Sequence, residues 1–166
     1  MNLKKITIIS VIGIFLLNFL FHNLYEFCPC YISSIFFPIN ESIFEHMKML
    51  FSSIIFFSLI KYFLIKINKI NINNFITSVF LEGILIIPIY LLMFLPLYYT
   101  LGHNMFITIS LMLISIILAE VISYFILTKK EIKYLNFISL ILIILTYILF
   151  AYLTYNPLNN DLFYYF

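Results

Sequence analysis

The chain has 166 residues, 64% of them hydrophobic and 10% charged, with a net charge of +2 and a mean hydropathy of +1.14. Soluble domains carry about 25% charged residues, so this composition excludes a conventional water-facing shell. The nine basic residues, all lysine, are scattered and offer no surface for nucleic acid.

The length suits one domain, and its elements are predicted in chain order as follows. Lys4 and Lys5 precede an apolar run that predicts a first membrane helix over about 6–22, with Asn18 and His22 toward its far end. No small-x-small cleavage site follows, so the run reads as a retained helix and not as a signal peptide. Residues 23–40 read as a loop in which Ile35, Phe36 and Phe37 are too few to span. Cys28 and Cys30, spaced Cys-Pro-Cys, are too close for the usual Cys-x-x-Cys redox or zinc pair. A second helix is expected over 42–67, its start marked by the capping-box spacing of Ser42 and Glu45. The third covers 75–97 and contains Pro88 and Pro96, the fourth 105–127, and the fifth 134–152.

These elements make an all-α fold, a single polytopic transmembrane bundle of five helices. Lysines at positions 4, 5, 61, 66, 69, 129, 130 and 133 fall on one side of such a bundle and Lys48 on the other. The positive-inside rule then puts the N-terminus in and the C-terminus out. The expected location is a bacterial cytoplasmic membrane, crossed several times, with membrane lipid as one expected partner and another membrane or exported protein as a second candidate.

Two polar groups follow from this topology. The outer one gathers His22, Glu26, Asn40, Glu41, Ser42, Glu45, His46, Lys48, His103 and Asn104. On a continuous helix Glu41 and Glu45 share a face, as do Ser42 and His46 and, on the first helix, His22 and Glu26. Two carboxylates one turn apart call for a cation or a shared proton. Lys48 is one candidate cation, and a divalent transition metal held by His22, His46 and His103 is another. A simple capped helix start would instead have His46 donate to a nearby carbonyl and Glu45 pair with Lys48. The second group lies deeper. At 1.5 Å per residue, Lys61, Glu82 and Glu120 each sit roughly 10 Å from the inner helix ends. Ionisable groups at that depth face the bundle interior and pair.

The run Pro38, Asn40, Glu41, Ser42, Glu45, His46, Lys48, Leu50 and Phe51 resembles the hallmark of a family of small bacterial multi-pass membrane proteins of unknown function, which reads Pro-x-Asn-Glu-Ser-x-Trp/Phe-Glu-His-x-Lys. Phe44 stands at the usual Trp and Lys61 at a usual Glu. His22 to Glu26 and the tail Thr154-Tyr155-Asn156-Pro157 are similar to two further family elements. The resemblance implies that the outer polar group is the shared feature and brings no activity with it.

Three readings of function remain at this level. The first is a binding or accessory protein whose outer pocket engages a cation, a lipid headgroup or a partner. The second is a metal-dependent membrane hydrolase with Glu41 or Glu45 as general base. The third is a proton-coupled small-solute carrier working through Glu82 and Glu120. No His-Glu-x-x-His or Gly-x-Ser-x-Gly motif is present to choose among them.

Overall fold

The computed structural model describes residues 1–102 and 104–164. Among the described residues five long helices form the body: α1 (Leu3–His22), α4 (Ile43–Ile67), α5 (Phe75–Leu101), α6 (Met105–Leu127) and α7 (Leu135–Tyr155). All five are long and apolar enough to cross a membrane. Between α1 and α4 the expected loop carries two short helices, α2 (Leu24–Phe27) and α3 (Tyr31–Phe36). The chain closes with a 3₁₀ turn over Asp161–Phe163.

Local chemistry explains most of the boundaries. Asn2, Ser42 and Asn104 cap α1, α4 and α6, each accepting from a backbone N–H in the first turn. α5 runs through Pro96 and four residues past the expected end, stopping where Gly102 takes φ +75°. Glycine adopts that positive φ without steric penalty, and the Gly102 N–H closes the last turn on the Tyr98 carbonyl. α5 begins after Asn74, itself left-handed, whose side chain binds the Lys130 carbonyl and the Ile132 N–H and so joins the two connections at that end.

α4 is the central helix and packs against α1 and α5. Phe51, Ile54, Ile86 and Ile116 are almost fully buried between α4, α5 and α6. Two glycines permit close approach of rings. A Cβ on Gly13 would lie 1.9 Å from the Phe57 ring, and one on Gly83 would lie 2.9 Å from that of Phe51. α7 is peripheral and apolar on its exposed side, with Phe137, Ile144 and Ile148 uncovered. In water such a face would be an aggregation site, and it suits contact with lipid.

Candidate metal centre

The first turns of α4 distribute their polar groups to opposite sides. The helix begins at Ile43, so Glu41 lies outside it, and Ser42 is extended at φ −68°, ψ 153°. The one-turn relation expected between Glu41 and Glu45 therefore does not hold. Glu41 turns toward α1 and Glu45 toward α3 and α7.

On the α1 side, three potential ligands converge. His22 Nε2 is 3.2 Å from His46 Nε2, and Glu41 Oε2 is 3.4 Å from each. The Glu41 side chain is 50% exposed and those of His22 and His46 35% and 26%. This partly buried group is able to chelate a divalent metal ion. A tetrahedral ion with nitrogen and oxygen ligands at ~2.0–2.2 Å keeps its donors about 3.3 Å apart, and the three observed separations bracket that value. His46 is also oriented from behind. Its Nδ1 lies 2.9 Å from the Ser42 carbonyl oxygen, which can only accept, so the proton sits on Nδ1 and the Nε2 lone pair faces the group. Ligating histidines are held in this way by their second nitrogen.

The other side of the motif is an ion pair. Glu45 is 2% exposed, Lys48 is fully buried, and they are in contact. Glu45 accepts from the Ile39 N–H at 3.0 Å and the Thr154 hydroxyl at 2.9 Å. Lys48 donates to the Ser34 carbonyl at 2.7 Å and to Thr154 at 3.0 Å. The network ties α3, α4 and α7 together with every buried charge satisfied, which is the condition for tolerating such a pair. Glu45 thus stands apart from the histidines, and Lys48, expected at the outer surface, is enclosed.

The remaining outer residues serve locally. Asn40 accepts from the Ser42 N–H, and Ser42 caps α4. Asn104 caps α6. Glu26 is exposed on α2 and outside the chelating group. The chain turns after His22, so the continuous face expected for His22 and Glu26 does not form. His103 lies outside the described residues.

Below the three ligands is a cavity of about 400 Å³ between α1, α4, α5 and α6. His22, Glu41 and His46 line it together with Leu50, Tyr90 and Met112, so its body is apolar and its polar groups are few. That combination, in the size range of ~300–1,000 Å³, is typical of small-molecule sites. Asn18 also lines it, a residue that spacing alone did not single out.

The deep group is separate. Lys61 donates to Glu82 at 3.1 Å, to both oxygens of Glu120 at 2.9 and 2.8 Å, and to the Ser123 hydroxyl at 3.0 Å. All three ionisable side chains are about 2% exposed or less. The arrangement cross-links α4, α5 and α6.

A model of a family of unknown function, DUF6512, matches residues 1–165. The chain belongs to that family. No curated protein and no solved structure matches it. The DUF6512 match thus covers the whole bundle, the chelating group and the cavity included.

Proposed function

We propose that the protein is a metal-dependent membrane hydrolase whose centre is His22, Glu41 and His46. The observation that carries this reading is the set of 3.2–3.4 Å separations among three ligand atoms at the rim of an apolar cavity. His22, Glu41 and His46 would hold the ion. A zinc ion held by two histidines and a carboxylate would supply a Lewis acid and a water of lowered pKa for hydrolysis of an ester, amide or phosphoester. Glu41 would hold the ion through one carboxylate oxygen and keep the other as a hydrogen-bond acceptor for that water. Glu45, held by Lys48, Thr154 and Ile39, has no part in the step. We place the chain in a bacterial cytoplasmic membrane with its N-terminus inside. The lysines at the start of α1, the end of α4 and the α6–α7 connection support that orientation. The metal centre then faces the exterior.

The test is the metal content of gently purified protein beside His46→Ala and Glu41→Ala. One divalent transition metal ion per chain, lost in both variants while helicity is kept, supports the hydrolase. A proton shared between the two imidazoles also brings nitrogens to 3.2 Å. A metal-free protein that takes up no zinc on titration establishes that second arrangement, and the site is then a binding surface without hydrolytic chemistry.

A further inference from the structure

We propose that the cavity takes the acyl chain of an amphiphile carrying a hydroxyl or amide N–H beside its scissile bond, and that Asn18 reads this donor. The inference deepens the hydrolase reading and rests on it for the bond that is cut.

Asn18 is 1% exposed, and among the described residues its Oδ1 has no hydrogen-bond partner. Its amide orientation is fixed by its neighbours. Nδ2 donates to the Ile14 carbonyl at 2.8 Å, which can only accept. It also donates to Ser53 Oγ at 2.9 Å, whose own proton goes to the Leu50 carbonyl. Flipping the amide would set oxygen against oxygen, so the acceptor is left over by necessity. A buried acceptor without a donor is penalised, and a ligand that supplies the donor recovers that cost.

The position of Asn18 states where the donor must be. It lies one helical turn before His22 and on the same face of α1, about 6 Å along the axis. A substrate with its scissile carbonyl or phosphoryl group at the histidines would therefore present a hydroxyl or N–H one short spacer deeper. The rest of the lining, Met49, Leu50, Tyr90 and Met112, offers an apolar wall for a chain. Phe19 and Met105 line the same cavity and are 43% and 69% exposed, so it reaches the lipid-facing periphery between α1 and α6. A water-soluble metabolite would lose its hydration against this wall, and a plain hydrocarbon or simple fatty ester would leave Asn18 unpaired.

The experiment uses the full chain in phosphatidylcholine vesicles and the methyl ester of a 3-hydroxy fatty acid bearing a photoreactive diazirine farther along its chain. The unlabelled 3-hydroxy ester and the methyl ester of the unsubstituted fatty acid serve as competitors. The expected result is crosslinking to peptides that carry Met49, Tyr90 or Met112. The 3-hydroxy ester should compete at roughly tenfold lower concentration than the unsubstituted ester, the worth of one buried hydrogen bond. Asn18→Leu should make the two competitors equal without changing metal content. Equal potency in the wild-type protein, or crosslinks confined to outward residues such as Leu92 and Ile144, would overturn the proposal without recourse to a variant. Metal content measured on the same vesicles separates the two readings. A metal-loaded chain without ligand preference loses the substrate class and keeps the metal site, and a metal-free chain with the preference keeps the donor-reading cavity and loses the hydrolase.

Discussion

Lys61→Met removes the cation that both Glu82 and Glu120 face inside the bundle. In the wild-type site one positive charge meets two carboxylates, and Glu120 receives the closer contacts at 2.8 and 2.9 Å against 3.1 Å for Glu82. Glu82 Oε1 has no partner among the described residues. Removing one member of a buried ion pair typically costs about 3–5 kcal/mol, because the other charge stays behind without water or counter-charge. Here two are left at once, so the upper part of that range applies. At ~2–4 °C per kcal/mol for a chain of this size, the melting temperature should fall by on the order of 10 °C, followed by far-ultraviolet circular dichroism in detergent. Glu82→Gln should behave oppositely. It keeps an acceptor for Lys61 and leaves a one-to-one pair with Glu120, so its stability should stay within about 1 kcal/mol of wild type. Lys61→Met combined with both Glu82→Gln and Glu120→Gln should recover much of the loss. The reasoning fails if Lys61→Met melts with the wild type, or if Glu82→Gln is the more damaging of the two.

The two sides of the α4 start should separate experimentally. Lys48→Met leaves Glu45 buried and unpaired and should cost about 3 kcal/mol, with much of it regained in Lys48→Met/Glu45→Gln and metal content unaffected throughout; loss of metal in the double variant would show that the ion pair belongs to the site. Gly13→Ala forces the Phe57 ring out of its place against α1 and should destabilise by about 1–3 kcal/mol, read by the same melts; an unchanged melting temperature would mean the helices separate without cost. The Ser33 backbone N–H donates to the Cys30 sulfur, and together with the Ser33 hydroxyl oxygen beside that sulfur it holds the thiol below the usual value, whereas the neighbouring Cys30 pushes Cys28 up. The thiolate is the reactive form, so iodoacetamide near neutral pH should modify Cys30 first, the difference fading as pH rises past the ordinary thiol range. Equal modification by peptide mapping at neutral pH would contradict it.

How the polar groups divide could be read only partly from the chain. Glu45 and Lys48, three apart, meet as helical spacing suggests, and His46 reaches back to the Ser42 carbonyl one turn away. Both are local relations. The association of Glu41 with Glu45 failed for an equally local reason, a helix that starts two residues after Glu41. A cap satisfies the free N–H groups wherever a suitable side chain stands, and Ser42 was available.

Hydropathy by itself determined the five long helices, because a run of apolar residues long enough to cross a bilayer must satisfy its backbone internally and does so as a helix. The lysines marked which ends lie together, and the conjunction of Asn40 to Lys48 marked where polarity is concentrated. Tertiary structure decided the rest. It brought His22, 24 positions before His46, to within 3.2 Å of it. It set Thr154, 106 positions beyond Lys48, between Lys48 and Glu45. It also left Asn18 Oδ1 as an acceptor without a donor among the described residues. Such pairings depend on which helix faces lie against one another, and in a chain apolar on nearly every face the periodicity that would announce those faces is weak. The sites are therefore built by packing between helices, from residues whose spacing along the chain carries no sign of it.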